Sequence, residues 1–576
     1  MPGLVLDSRV VETHPFEQTA PSPMNLAAQV GWAVLILGTL YVCYFSRLGA
    51  IGFVGPDEPR YAWIARDMAE TGDWVTPRLY GKPWFEKPPL FYWGAALSFK
   101  LLGVSEPAAR LPSAISALLL TLALAWLARR LYGAETARCL LLVLPTTVGM
   151  IGFSHAAATD MPFAAMLTIA MVCAAVILGL TRNENTPILP RTPWLALMLF
   201  GFFLGLAVLA KGPAAIVLCG GAVFFWALST KRWPDAFRFF HPAAVAAFCV
   251  TALPWYILCA RRNPDFFRIF IIEHNFKRYL TPEFQHIQPF WFYAAVLLIA
   301  LLPWTALAVW SFVVGFVELA RLKRVSPNSL LFLTWSLFCL IFFSISKSKL
   351  PGYILPAIPA IVMLMTHSRF AFAPGRTKSL AISSFVSSLL FACGFAIFEY
   401  LAPHIPHANP DYGMTIGLIF GVLSIANLLS GLGVSPLLKG PLGRGLAASS
   451  VLPILFAVAN TDKLLPSLFY WDPSGRALSD GLQRRAIPTD ALFVSKNMNR
   501  GLHYSLNFYL HQEVSDWDGN NPHQGYLLIG GKHPRSEAGS DYTFEEVPFD
   551  LKKTGYFLYR VQPRSVAGSA GSGQPQ

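Results

Sequence analysis

Charge is scarce in this chain. Only 13% of its 576 residues are Asp, Glu, Lys or Arg, against 54% hydrophobic residues. A soluble domain has too little interior to hide that much apolar sequence, so the ratio points to the multispanning membrane class. Phosphate-cradling loops are also missing: neither G-x-x-x-x-G-K-[ST] nor G-x-G-x-x-G occurs, which leaves a nucleotide-linked substrate without a visible cradle. The eight cysteines lie in or at the edge of apolar runs and form no C-x-x-C pair. A disulfide framework or a cysteine metal site is therefore not expected. The first 25 residues lack a basic start and a small-residue cleavage site, so a removed signal peptide is not expected. The formal charge of +13 would suit nucleic acid. The basic residues flank apolar runs, however, and the positive-inside rule accounts for them without a nucleic-acid partner.

What is present is a long series of apolar runs. At roughly 20 residues per crossing they read as about thirteen spans, near 27–46, 111–130, 138–155, 161–181, 194–210, 212–229, 242–260, 290–311, 329–346, 352–366, 379–402, 413–434 and 444–461. Residues 90–102 are apolar but short and read as an interfacial helix. With a cytoplasmic N-terminus, that choice puts Arg129, Arg130, Arg138, Lys231, Arg232, Arg238, Arg321, Lys323 and Arg324 in cytoplasmic loops, as the positive-inside rule requires. The map then reads as a cytoplasmic segment 1–26, a transmembrane catalytic domain 27–461, a periplasmic α/β domain 462–563 and a disordered tail 564–576. In the third unit, 491–496, 502–510, 525–531 and 555–561 read as strands and Gly475 to Arg485 as a short helix.

Between the first two spans lies the most densely charged stretch, GPDEPRYAWIARDMAETGDWVTPRLYGKPWFEKPP, from Gly55 to Pro89. Ionisable groups are costly near hydrocarbon, so this cluster is a functional-site candidate. Pro59 to Thr71 has helical periodicity, with Tyr61, Ala62, Ile64, Ala65, Met68 and Ala69 on one face and Arg60, Arg66, Asp67 and Glu70 off it. The helix is too short to cross a bilayer and reads as lying along the interface. Asp57 stands at its mouth, either as an N-cap or as a group facing the headgroup level. Further basic residues fall on the non-cytoplasmic side against the general bias: Arg60, Lys87, Lys211, Arg278, Lys347 and Lys349 among them. Binding of an anionic lipid headgroup would explain them; ordinary salt bridges would do so too. Glu86 and His274 have the ligand types for a small zinc or manganese site. Asp160, in ATDMP, sits at an outer span end and reads either as a helix cap, which Pro162 favours, or as a second functional acid.

GPDEPRYA, GDWVTPRL, FEKPPLFYW and GVSEPAARLPSA, in that order, together with EHNFKRYL and FSISKSKLPGYILPAIPA, resemble the membrane glycosyltransferases that use lipid carriers. These are of the GT-C type, in particular the bacterial aminoarabinose transferases of lipid A modification; the protein O-mannosyltransferases are more distant. The resemblance implies a polytopic α-helical fold and an inverting transfer from a polyprenyl-phosphate sugar to an envelope glycolipid or protein at the periplasmic face of the inner membrane. It implies catalytic roles for Asp57 and Asp160, and substrate contacts from Glu58, Arg60, Tyr61, Lys87, Arg278, Lys347, Lys349 and Tyr353. A divalent metal at Glu86 and His274 would lie near the carrier phosphate. Where the family often has a polar residue, this chain has Gly352. A transporter of lipid-linked sugars would use similar basic lining, but it predicts two related halves and charges near the midplane; no internal repeat is visible and the charges cluster at one face.

Overall fold

The structure is a computed structural model and describes residues 26–181, 193–277, 287–320, 326–367, 474–518, 524–530, 541–548 and 555–564, with isolated residues between 389 and 459. The expected spans at 379–402 and 413–434, most of 444–461, and the two chain ends lie outside the described residues. The helical part runs α1 (Leu26–Tyr44), α2 (Asp57–Thr71), strands β1 (Arg78–Leu79) and β2 (Lys82–Pro83), α3 (Leu90–Leu102), α4 (Glu106–Tyr132), α5 (Ala134–Val143), α6 (Val148–Ser154) and α7 (Asp160–Ile177). It continues through α8 (Trp194–Lys211), α9 (Ala214–Thr230), α10 (Trp233–Phe237), α11 (Pro242–Arg262), α12 (Phe292–Ala300), α13 (Thr305–Ala320), α14 (Pro327–Ile345) and α15 (Ile358–His367). Among the described residues, five helices are long and apolar enough to cross a membrane, or six if the bent pair α5–α6 is one span. The architecture is that of a helical, multi-pass membrane protein.

Helix α7 is the centre of the bundle. Its sequence is apolar all round, as a helix with no solvent face must be, and nearly every residue is buried. It packs against α4 on one side and α8 on the other, and α8 in turn carries α11. Two expected spans are not single rods. The run at 138–155 folds as α5 and α6 with a 63° bend. The run at 290–311 breaks into α12 and α13, because Pro303 lacks the amide a continuing helix needs.

The C-terminal part contains α16 (Arg476–Arg484), β3 (Leu492–Val494), α17 (Arg500–Leu510), β4 (Ser515–Asp516), β5 (Gly525–Gly530), β6 (Tyr542–Val547) and β7 (Tyr556–Pro563). The five strands form one sheet in the order β4-β3-β5-β7-β6. Strand β3 pairs in parallel with β4 and β5, while β7 pairs antiparallel with β5 and β6. The expectation of a strand at 502–510 is wrong: those residues are α17. Its tyrosines and phenylalanine suit a strand by propensity. Asn499, however, accepts the amides of Gly501 and Leu502 as a helix cap, and Leu502 and Leu506 fall one turn apart in the buried core.

One buried ion pair fixes how the charged stretch sits on the bundle. Arg110, in the first turns of α4, is 2% exposed. Its Nε donates to Glu58 Oε1 and its Nη2 to Oε2, both at 2.9 Å. The remaining guanidinium protons go to the carbonyls of Leu48 (2.7 Å), Ile51 (2.8 Å) and Gly52 (3.0 Å). Glu58 also accepts the amides of Val54 (3.0 Å) and Ala157 (2.7 Å). The α1–α2 connection, α2, α4 and the loop before α7 thus meet on two side chains. Glu58→Gln leaves the Arg110 charge buried without its counter-charge, a loss of the kind that costs about 3–5 kcal/mol. Purified Glu58→Gln protein is expected to melt well below wild type in detergent; an unchanged melting temperature would show that the pair does not hold the region.

Candidate active site

Helix α2 begins at Asp57, with Pro56 in the cap position and no side-chain cap. Asp57 is therefore not an N-cap. Its carboxylate bonds the guanidinium of Arg60 one turn on. Arg60, expected off the apolar face, is instead buried. Its Nε donates to Pro56 O at 2.8 Å and its Nη1 to Glu86 Oε2 at 2.9 Å. Three rings surround it, Tyr504 at 5.4 Å, Trp84 at 5.7 Å and Tyr61 at 5.8 Å from the guanidinium carbon, a packing that favours a cation. Burial works against the Arg60 charge, but the Glu86 and Asp57 carboxylates beside it hold its pKa above the ordinary value. Burial pushes the Tyr61 phenol well up, and the Glu86 and Asp57 carboxylates push it further, so Tyr61 is a neutral hydroxyl. Lys87 Nζ lies 3.7 Å from Glu86 Oε1. The side chains of Arg60 and Glu86 are 6% and 8% exposed, while that of Asp57 is 43% exposed. Asp57 is the exposed carboxylate of this cluster; Arg60 and Glu86 are buried.

A second cluster forms at the start of α7. Thr159 holds its cap position without a side-chain bond, so Asp160 is not the cap either. Lys211, the last residue of α8, bonds the Asp160 carboxylate, and its ammonium lies 4.4 Å from the centre of the Tyr353 ring. A Cβ at position 352 would overlap the Asp160 carboxylate. Gly352 is thus what makes room for the Asp160–Lys211 pair, and a polar side chain there would have to displace it. Lys349 is buried and donates to the carbonyls of Gln288 (3.1 Å) and Ser346 (2.6 Å). Lys347 is exposed. The amide of Ala157, three residues before Asp160, is the one held by Glu58, so a single buried carboxylate ties the two clusters together.

Other expected contacts fall differently. Glu58, expected to touch substrate, has both oxygens engaged by Arg110 and two backbone amides. Arg278 and the His274 side chain lie outside the described residues. Several basic groups expected on the non-cytoplasmic side form ordinary ion pairs: Arg262 and Arg78 with Asp73, Arg66 with Glu70, Arg268 with Asp265 and Glu273. Residues that sequence reasoning missed are Arg110, Trp84 and Tyr504, and the partnership of Lys211 with Asp160. An apolar groove of about 380 Å³, lined by Phe200, Ile216, Phe224, Phe237 and Phe248 among others, is set apart from both clusters. Phe200 is about 16 Å along α8 from Lys211.

Comparison with known proteins places the helical bundle that carries these acids among the lipid-carrier-dependent membrane glycosyltransferases of the GT-C class. Residues 32–270 match the family model of dolichyl-phosphate-mannose-protein mannosyltransferases. The undecaprenyl phosphate-alpha-4-amino-4-deoxy-L-arabinose arabinosyl transferase of Edwardsiella ictaluri is 32% identical over 411 residues, which cover 69% of this chain and 72% of that protein. The protein of the same name from Aeromonas salmonicida is 30% identical, over 66% and 68% of the two chains. The chain belongs to this arabinosyl transferase family. Its fold is similar to that of ArnT from Cupriavidus metallidurans, solved bound to undecaprenyl phosphate, with a TM-score of 0.73 at 24% identity, covering 95% of this chain and 100% of that one.

Proposed function

We propose that this chain moves 4-amino-4-deoxy-L-arabinose from undecaprenyl phosphate to lipid A. Family membership supports the donor and the acceptor. The observation that carries the chemistry is the half-exposed Asp57 carboxylate held by a buried Arg60 and backed by Glu86. In the proposed reaction an acceptor oxygen attacks the anomeric carbon and the lipid phosphate leaves with the bonding electrons. Asp57 orients the acceptor or takes its proton. Arg60 and Lys87, with Lys211 and Arg278 as further cations, stabilise the departing phosphate. Asp160 fixes the Lys211 ammonium against Tyr353. Lys347 and Lys349 extend the basic lining where the carrier phosphate would approach.

Glu86 and His274 amount to two ligands, and no group of three His, Cys, Asp or Glu side chains gathers among the described residues. Such a pair suits a divalent ion held jointly with a substrate phosphate better than a resident one. Zinc or manganese content of the purified protein is expected to rise on adding undecaprenyl phosphate and to fall in Glu86→Ala and His274→Ala. Content that is the same in all three proteins would remove the metal from the proposal.

We also place the acid end and the C-terminal domain, 462–563, in the periplasm, with about thirteen spans in the inner membrane. The loop charges support this. So does docking of the C-terminal part on the acid end, where Tyr509 donates to Glu106 Oε1 at 2.8 Å and Arg66 to Phe508 O at 3.2 Å. Export reporters fused after Gly81 and after Ser565 should give the same, periplasmic signal; opposite signals would overturn the map.

The test of the chemistry is Asp57→Asn. Asparagine keeps the size of the side chain and can still accept from Arg60, but it takes no proton. Loss of a general base costs roughly 10²–10⁴-fold in rate. The expected result is a folded protein that binds undecaprenyl phosphate normally and barely transfers sugar to lipid A in detergent. Near-normal turnover would remove Asp57 as the base and leave Asp160 as the remaining acid.

A further inference from the structure

The soluble C-terminal part does more than cover the acid end. Helix α17 lies along α2, fastened on both sides of the Asp57 turn. Ser505 Oγ donates to Phe53 O at 3.0 Å, the Phe53 amide donates to Tyr509 Oη at 3.0 Å, and Asn507 Nδ2 donates to Tyr80 Oη at 2.9 Å. Gly501 packs directly on Gly55, two residues before Asp57. This docking brings two side chains of α17 to the site. The Tyr504 ring lies 5.4 Å from the Arg60 guanidinium and 5.4 Å from that of Arg500. Arg500 Nε donates to Tyr504 Oη at 3.2 Å. One ring therefore joins a buried arginine, already bonded to Asp57 and Glu86, to an exposed one that forms no ion pair among the described residues.

Resting on the proposed transfer to lipid A, we infer that Arg500, set by Tyr504, is a binding residue for an anionic, phosphate-bearing group of the acceptor. Three physical points converge on it. Among the described residues Arg500 forms no ion pair, so it adds positive charge beside a cluster in which Asp57 and Glu86 face Arg60 and Lys87. A guanidinium with its donors turned to solvent matches phosphate oxygens by charge-assisted hydrogen bonds. The third point is direction of approach. The polyprenyl chain must lie against the membrane helices, whereas Arg500 belongs to the soluble domain and borders the exposed side of the Asp57 turn. In an inverting displacement the acceptor comes from the face opposite the leaving phosphate. Cations for the two phosphates therefore belong on different elements: Arg60, Lys87 and Lys211 on the helical part, Arg500 on α17.

The test uses the full-length protein in detergent, with lipid A and dephosphorylated lipid A as probes. Arg500→Gln removes a charge-assisted contact at an exposed position and is expected to weaken lipid A binding about tenfold. It should leave binding of the dephosphorylated probe, binding of undecaprenyl phosphate and the melting temperature unchanged. In turnover the acceptor KM rises while kcat is kept, and Arg500→Lys recovers part of the loss. Equal loss for both probes, loss of undecaprenyl phosphate affinity, or lipid A binding within twofold of wild type would each overturn the assignment. Failure of the underlying reading looks different: wild-type protein would then bind neither probe and transfer no sugar to lipid A, and both proposals would fall together.

Discussion

The acid end of this protein depends on one buried carboxylate, that of Glu58. Glu58 is held by Arg110 through two hydrogen bonds and accepts two backbone amides, one from its own connection and one from the loop before α7. A buried ion pair adds little net stability over apolar packing, because desolvating two charges offsets most of their attraction. What such a pair supplies is definition of place. With every lone pair and donor assigned, only one arrangement of α2, α4 and the two loops satisfies both groups. Asp57 is the residue immediately before Glu58, and Asp160 is three residues from Ala157. Both acids are therefore positioned from the same buried point, though they sit on different helices.

The two acids are also alike in how they are kept. Each is bonded to a cation from outside its own cap, Asp57 to Arg60 and Asp160 to Lys211, and each cation lies against aromatic rings. Surface pairs of this kind are weak, since water screens them and long side chains lose freedom. Here the cations are largely withdrawn from water, so the pairs persist and the carboxylates keep one orientation. Gly352 belongs to the same device. The volume that any side chain would fill is occupied by the Asp160 carboxylate, and the absence of a Cβ is what allows that acid to lie against Lys211.

Much of the helical framework was legible because it is written locally. Periodicity over Pro59 to Thr71, with Gly72 as the stop, falls within two residues of α2, and the apolar runs at 161–181 and 194–210 mark α7 and α8. The acids Asp57, Glu86 and Asp160 stood out because ionisable groups beside hydrocarbon need a reason. What was not legible is what depends on distant partners. Nothing near Arg110 marks it as the mate of Glu58, 52 residues away, and a basic residue at a span end reads first as a topology signal. Arg60 was placed on the polar face by periodicity, yet Glu86 and the rings of Trp84 and Tyr504 draw it inside. In α17, aromatic residues imitate a strand; the cap at Asn499 and the leucines at 502 and 506 outweigh them only once the core they face is known.

Charge balance sets a condition on any substrate. Asp57, Glu86, Arg60 and Lys87 sum to zero, as do Asp160 and Lys211. Each buried cation already spends its attraction on a carboxylate. An incoming carrier phosphate gains little from Arg60 unless one of those contacts is exchanged, and the contact nearest the opening is the one to Asp57. Binding of phosphate to Arg60 would therefore loosen Asp57 from its own partner. An unpaired carboxylate is a better base and a better acceptor of hydrogen bonds than one bonded to arginine, because an adjacent cation favours the ionised form. On the proposed chemistry, arrival of the donor would then be coupled to activation of the acid, because Arg60, the proposed receiver of the leaving phosphate, is also the partner of Asp57.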